Sequence, residues 1–284
     1  MKNMSRNSVF DQIATRLDAR DFREKDRYTG YFIDQPAVMN APVALLVHGV
    51  SGSALDGIFL AEKLYEAGYK IYLLDLPGHG KAKVEDFSDF DALGKWLADF
   101  VDHTSPQMVV SQSYASAILY SAASQELLPD SLYKAYCCPT PNMSRKTTVL
   151  KNLADVLPAG VATPIYHSYP AVWVRTKIMH KDGKKVSFSR MIESENNKST
   201  TLSVRQVNQL TSLLSGDNPY YKRSLRSTDK SLVFYGTMDN VVTAKTSDEI
   251  NKIFQGTKII EIPKVGHLLH FEAYEQIADE LVKL

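Results

Sequence analysis

The chain has 284 residues, 44% hydrophobic and 23% charged, room for one large α/β domain or two small ones in an ordinary globular enzyme. A formal net charge of +1 gives no global reason to expect nucleic acid, and no apolar run reaches the ~18 residues of a membrane span. The stretch Met1–Arg27 is polar and lacks the apolar core of a signal peptide, and Cys137 and Cys138 are adjacent, useless for stapling loops. A reducing, cytoplasmic setting is therefore expected. The seven histidines are scattered without HExxH or CxxC spacing, so neither metal nor cofactor is expected.

In chain order, Val9, Phe10, Ile13 and Leu17 suggest a short helix or irregular lead-in, followed by a charge run. Tyr28–Ile33 alternates enough for an edge strand. Val43–Val47 is a continuous apolar run of strand length, the mark of a strand buried on both faces, and it ends in His48-Gly49-Val50-Ser51-Gly52-Ser53. A helix follows over Ala54–Ala67, with Ser53 as its cap and Gly68 closing it. A second buried strand, Lys70–Asp75, breaks at Leu76-Pro77-Gly78-His79-Gly80. Asp89–His103 is amphipathic, with Phe90, Leu93, Trp96, Leu97 and Phe100 on one face.

Met108–Gln112 is β-branched and apolar and stops abruptly at Ser113, with small residues at Ser111 and Ala115 and a helix-like segment beyond. This S-x-S-x-A pattern has the shape of a nucleophile elbow, a strained turn that holds a serine hydroxyl clear of the sheet. Leu132–Cys138 reads as another strand, stopped by Pro139 and Pro141. The strand–helix rhythm lapses from Pro141 to Arg226 and resumes with a strand at Ser231–Gly236, a helix over Thr243–Phe254, a strand at Lys258–Ile262 and a helical run over Leu268–Leu284. The alternation predicts an α/β fold with a mostly parallel twisted sheet flanked by helices. Its core would span 1–140 and 227–284, interrupted by a helical insertion over 141–226.

A serine hydroxyl needs a base, itself oriented by an acid, and in parallel sheets functional groups gather at the carboxyl ends of strands. Asp239 follows the strand Ser231–Gly236, and His267 follows Lys258–Ile262, giving the order Ser…Asp…His. That order resembles the α/β-hydrolase fold family. The resemblance spans nearly the whole chain: Val47-His48-Gly49 is similar to the family's oxyanion loop, Asp75–Gly80 to its D-x-P-G-x-G turn, Ser111–Ala115 to the elbow, Gly236–Asp239 to the acid loop and Gly266-His267 to the histidine loop. Ser111 departs from the family's usual glycine.

The resemblance implies Ser113 as nucleophile, His267 as base and then acid, and Asp239 as the group orienting His267. Backbone N–H groups of Val50 and Tyr114 would form the oxyanion hole, each worth about 2.7–4 kcal/mol in the transition state. Serine in place of aspartate at the elbow argues against epoxide hydrolase and dehalogenase chemistry and for acyl transfer to water. Plainer roles compete. Ser113 is also readable as a turn serine and Asp239 as a helix cap; Asp248, Glu249 and His270 are rivals that read as helix residues. His48, His79 and Asp75 read as structural, bonding backbone in tight loops.

In the resembled family such an insertion is a lid that sets substrate choice. Tyr166, Trp173, Arg175 and Tyr220 are the candidate substrate-binding residues, with Tyr169, Met179, Phe188 and Tyr221 as further aromatic or apolar wall. The plain alternative is the lid's own small core. From Pro141 to Arg226, 14 Lys or Arg stand against 5 Asp or Glu, while the remainder carries 19 against 27. The basic surplus, densest at Arg175, Lys177, Lys181, Lys184, Lys185 and Arg190, fits either a solvated face or an anionic partner. The sharper expectation is an acyl ester on an acidic acyl carrier protein, similar to pimeloyl-ACP methyl ester esterases. Thioester or carbon–carbon bond hydrolysis, lyase chemistry on the same triad, and a non-catalytic ligand-binding protein on this fold remain alternatives.

Overall fold

The computed structural model describes residues 8–83, 87, 89–141, 159–197, 204–226, 230–241 and 244–284. Parts of the predicted insertion (142–158 and 198–203) and Thr243 of a predicted helix lie outside them. The elements run α1 (Val9–Arg16), β1 (Arg20–Glu24), β2 (Tyr28–Ile33), β3 (Val43–Val47), a 3-10 turn (Ala54–Gly57) continuing as α2 (Ile58–Glu66), β4 (Lys70–Leu74), α3 (Phe90–Thr104), β5 (Met108–Gln112), α4 (Tyr114–Ser124) and β6 (Tyr133–Cys137). Between β6 and β7 come α5 (Ala159–Tyr166), α6 (Tyr169–Met179), α7 (Lys185–Asn197), α8 (Val204–Gly216) and a 3-10 turn (Pro219–Tyr221). The chain ends with β7 (Ser231–Gly236), α9 (Ala244–Ile253), β8 (Lys258–Ile262), α10 (Leu269–Glu272) and α11 (Tyr274–Leu281).

One sheet of eight strands has the order β1-β2-β4-β3-β5-β6-β7-β8. β1, β2 and β4 pair antiparallel, and all pairs from β4 onward are parallel. Strands β3 and β5 are neighbours, with Val47 opposite Ser111, and the chain leaves them toward opposite sides of the sheet. Such a switch point opens a crevice at the carboxyl edge. The loops after β3, β5, β7 and β8 all emerge at that edge because these strands run parallel.

The core explains the register. Leu45, Leu46, Val109, Val110, Val233 and Phe234 are buried, as continuous apolar strands covered on both faces require. Helix α3 buries its predicted stripe of Phe90, Leu93, Trp96, Leu97 and Phe100, and Val101 besides, and Asp89 accepts from the Ala92 N–H at 2.7 Å to cap it. Each large side chain so buried stabilises the fold by about 1.5–3 kcal/mol.

Three expectations need correction. The charge run after α1 is strand β1, an edge strand whose Arg20, Asp21, Arg23 and Glu24 guard its open side, while Phe22 packs on Tyr72 and Phe100. Tyr28–Ile33 is consequently an inner strand between β1 and β4, not an edge. The final helical run divides at Ala273 (φ −141°, ψ 19°), which re-aims α11 so that Ile277, Ala278 and Leu281 are buried and the helix packs on α2. None of the helices among the described residues is long and apolar enough to cross a membrane.

The segment between β6 and β7 is tied to the rest by polar bonds. Arg223 pairs with both oxygens of Asp91 at 2.8 and 2.9 Å, and Arg226 pairs with Glu126 and Asp130. Ser194 donates to Asp56, the Val9 N–H donates to Glu193 at 3.0 Å, and the Arg190 guanidinium lies 4.0 Å over the Phe59 ring. Part of the basic surplus of this segment therefore meets acidic groups of the sheet-bearing core.

Candidate active site

The turn at the end of β5 is strained. Ser113 sits at φ 54°, ψ −110°, a positive-φ conformation costly for a residue with a Cβ. Its N–H donates to the Cys137 carbonyl at 2.7 Å, prolonging the β5–β6 ladder, and its own carbonyl accepts from the Ser116 N–H at 2.9 Å as α4 begins. Ser111 causes no crowding there. Its hydroxyl donates to the Ala135 carbonyl at 3.0 Å, and the Ser116 hydroxyl donates to the Ser111 carbonyl at 3.1 Å, so a buried pair of hydroxyls is satisfied beneath the turn. Ala115 is fully buried, as the close strand–helix approach demands.

Ser113, Asp239 and His267 come together although they lie far apart in sequence. The Ser113 hydroxyl donates to His267 Nε2 at 2.8 Å, and His267 Nδ1 donates to Asp239 Oδ2 at 2.6 Å. A carboxylate only accepts, so Nδ1 carries the proton and Nε2 is left as the acceptor facing the hydroxyl. The side chains of His267 and Asp239 are 5% and 0% exposed, whereas Ser113 is half-buried, so the hydroxyl alone opens outward. The Val241 N–H donates to Asp239 Oδ1 at 2.6 Å, which fixes the carboxylate plane. The rival His270 lies in α10, and Asp248 and Glu249 lie in α9, as helix residues.

Glycines bring these loops together. A Cβ on Gly236 would stand 2.3 Å from the Val265 carbonyl oxygen, so the acid loop and histidine loop touch only because that position is bare. Gly49 lies against the elbow: its added Cβ would be 3.2 Å from the Gln112 oxygen and 3.3 Å from Ser113 Cβ. Val50 follows directly, and Tyr114 is the first residue of α4, where a helix leaves its N–H groups without intrahelical partners. Gly49, the residue before Val50, and Tyr114 therefore adjoin Ser113. The Tyr114 ring itself is buried against Phe90, and burial pushes its phenol well up.

The histidines and acid of the neighbouring loops have structural bonds. His48 Nδ1 donates to the Gly49 carbonyl at 2.7 Å and Nε2 accepts from the Leu76 N–H at 3.0 Å. His79 likewise donates to the Pro77 carbonyl and accepts from the Ser51 N–H, both at 3.0 Å. Asp75 accepts from the N–H groups of Ala54 and Lys81 at 2.8 and 3.1 Å, joining its turn to the start of the following helix.

The predicted substrate-binding residues are placed differently. Arg175 bonds Glu195 at 2.9 Å, donates to the Tyr166 carbonyl and stacks 3.9 Å over the Tyr166 ring. Trp173 is exposed and meets Phe188 edge-on at 6.3 Å. Tyr220 is buried against Tyr120, ring centroids 4.8 Å apart, in the packing around α4. Among the described residues, none of their hydrogen bonds, ion pairs or ring contacts reaches Ser113 or His267.

Two residues that carry no sequence signal support the histidine loop. Gln112 Nε2 donates to the His267 carbonyl at 2.8 Å, and Glu272 Oε2 accepts from the Gly266 N–H at 3.0 Å. Burial pushes the Glu272 carboxyl up, and the backbone donors around it pull in the opposite sense. Among the described residues, Cys138, Asp239 and His267 also bring potential metal-ligand atoms within 4.8 Å of one another. The 2.6 Å separation of Nδ1 and Oδ2 is a direct hydrogen bond, shorter than the roughly 3 Å that two ligands of one zinc ion, each bonded at about 2 Å, require.

Comparison with known proteins agrees with this architecture. The profile of the alpha/beta hydrolase family matches residues 44–280. A stretch of 99 residues, 32% of the chain, is 35% identical to protein phosphatase methylesterase 1 of Bos taurus, and the match spans only 26% of that protein's length. Among solved structures, a putative lipase from Acinetobacter baumannii superposes with a TM-score of 0.69 at 17% identity, covering 100% of this chain and 96% of its own. A thermophilic esterase from Thermogutta terrifontis gives a TM-score of 0.67 at 13% identity, covering 93% and 97%. At such identities these two likenesses speak for the fold, whereas the family profile spans most of the chain: the chain belongs to the alpha/beta hydrolase family.

Proposed function

We propose that this hydrolase cleaves a carboxylic ester through an acyl-enzyme on Ser113. The observation that carries the reading is the unbroken hydrogen-bond chain from Ser113 through His267 to Asp239, at 2.8 and 2.6 Å. Nε2 of His267 takes the hydroxyl proton as Ser113 Oγ attacks the ester carbonyl, and Asp239 stabilises the imidazolium that forms. The N–H groups of Val50 and Tyr114 receive the developing oxyanion. The imidazolium returns its proton to the leaving alcohol; a water, deprotonated by the same nitrogen, then releases the acid and frees Ser113. Neither step calls on a cofactor.

A small leaving alcohol such as methanol is the narrower form of the reading, supported by the likeness to protein phosphatase methylesterases over the matched stretch. The helices between β6 and β7 act as a lid in this reading, with α6 ending beside the histidine loop. Exposed Lys177, Lys184 and Lys185 near that end support an anionic substrate, including an acyl group on an acidic carrier protein. Two buried, unpaired cysteines fit a reducing cytoplasmic setting.

A fluorophosphonate probe tests the first claim. Ser113 of the folded protein should label and Ser113→Ala should not, with ester hydrolysis reduced about 10⁶-fold; absence of label on the folded parent sinks the ester-hydrolase reading. Methyl, ethyl and longer alkyl esters of one acid then rank the leaving group. An acidic carrier protein that fails to compete with a small ester removes the carrier-borne substrate.

A further inference from the structure

Glu272 gathers three backbone donors on a single carboxylate oxygen. Its Oε2 accepts from Gly266 at 3.0 Å, from Asp182 at 2.8 Å and from Lys181 at 3.2 Å. Gly266 immediately precedes His267, whereas Lys181 and Asp182 form the turn between α6 and α7, some ninety residues earlier in the chain. The residue itself is 4% exposed.

Two further contacts lock the same place. A Cβ on Gly266 would stand 2.4 Å from the Met179 carbonyl oxygen and 2.9 Å from Lys181 Cγ, so the end of α6 rests directly on the histidine loop. From the other side, Asn240 Nδ2, next to Asp239, donates to the Ile178 carbonyl at 2.6 Å. Residues 178–182 are thus held by both loops that carry the imidazole and its acid. A carboxyl oxygen that gathers three N–H donors is a more directional joint than apolar packing, and without it the buried Gly266 amide would be left unpaired.

We infer that Glu272 is a positioning residue that makes the orientation of His267 depend on the seating of the 178–182 turn. Resting on the proposed role of His267, this gives the segment between β6 and β7 a share in assembling the base as well as in covering the site. When the turn sits down, Oε2 holds Gly266 and therefore the imidazole in line with Ser113. When a substrate or partner lifts the turn, two of the three donors leave and the histidine loop loosens.

The test uses the full-length chain and two measurements. Hydrogen exchange of peptides covering 178–183 and 264–268 should rise together in Glu272→Ala, and also in Asn240→Ala, which loosens the turn from the acid-loop side. In Glu272→Ala, kcat for a small ester should fall about 10- to 100-fold, the size expected for an ångström-scale misplacement, with KM changed less than about threefold. Glu272→Gln, which keeps an acceptor oxygen, should recover most of kcat. The inference is overturned if folded Glu272→Ala keeps kcat within about threefold of the parent, or if exchange rises in only one of the two peptides. Should Glu272→Ala fail to fold, Asn240→Ala decides: faster exchange confined to 178–183 removes the coupling. A parent enzyme that neither labels nor hydrolyses esters would instead remove the functional reading and leave the exchange result to stand alone.

Discussion

The side-chain amide of Gln112 donates to the main-chain carbonyl of His267 at 2.8 Å, so the residue before Ser113 holds the backbone of His267. Gln112 is the last residue of β5 and is buried. Replacing it with leucine keeps the volume but leaves the His267 carbonyl unpaired, a cost of about 1–3 kcal/mol. Gln112→Leu should lower kcat about tenfold, slow labelling of Ser113 and reduce the unfolding temperature. Gln112→Glu should be worse, since an ionised carboxylate opposes the carbonyl. Unchanged steady-state kinetics in Gln112→Leu would show that the His267 backbone is held by other contacts.

Gly49, in the loop after β3, lies against the turn at Gln112 and Ser113 with room for little more than a hydrogen, since an added Cβ would stand 3.2 to 3.3 Å from them. Its backbone has no positive φ, so alanine there brings crowding without torsional strain. The new methyl, 3.2 Å from the Gln112 oxygen, must push the loop outward by a few tenths of an ångström and carry the Val50 N–H with it. Loss of one oxyanion donor costs about 10²–10³ in kcat, and a partial displacement a fraction of that. Gly49→Ala should therefore fold with nearly parental thermal stability and hydrolyse esters roughly tenfold or more slowly. A large fall in stability with kcat intact would assign Gly49 to packing instead.

How much of this was legible in the sequence follows from the physics of each element. Strands β3, β5 and β7 are short apolar runs because both of their faces are covered, and such runs announce themselves. Strand β1 does not, since an edge strand with one apolar side chain, Phe22, has the composition of a loop. Ser113, Asp239 and His267 stand directly after strands, where a parallel sheet collects its functional groups, so their meeting could be anticipated. Gln112 and Glu272 act on backbone groups through space, and no spacing rule relates a glutamine at a strand end to a carbonyl 155 residues away. The placement of the aromatic residues between β6 and β7 was not legible for a related reason: composition marks Tyr220 as a candidate substrate-binding residue, and only the fold shows that it lies against Tyr120.

The cysteines offer a test of core packing beside Asp239 and His267. Cys137 ends β6 and Cys138 follows it, both buried, with burial pushing the Cys137 thiol up to about 12 and Cys138 well above its usual range. At pH 8 a thiol of that acidity is ionised in only about one molecule in 10⁴, and thiolate is the reactive form. Ellman's reagent should therefore leave the native protein untouched at pH 8 and report both thiols once guanidinium unfolds it. Rapid reaction of either thiol in native protein would mean that the β6 end opens readily, and with it the support under Asp239.

Acid stability at the β8 edge of the sheet depends on Glu280. Glu280 on α11 bonds Lys258 at 2.5 Å, on β8, and Lys283 at 2.6 Å. The Lys258 hydrogen bond, followed by that of Lys283, lowers its carboxyl from 4.5 to about 2. A carboxyl depressed in the folded state binds its proton more weakly there than in the unfolded chain. Its stabilising contribution is therefore complete above the unfolded value near 4.5 and disappears as pH falls through about 2. Solvent screening keeps that contribution small. Glu280→Gln should thus lower the urea midpoint slightly at pH 7, with the difference from the parent shrinking as pH falls below 4.5 and also in 1 M salt at neutral pH. A difference that persists unchanged at pH 3 would mean that the carboxylate acts through packing between β8 and α11 and not through its charge.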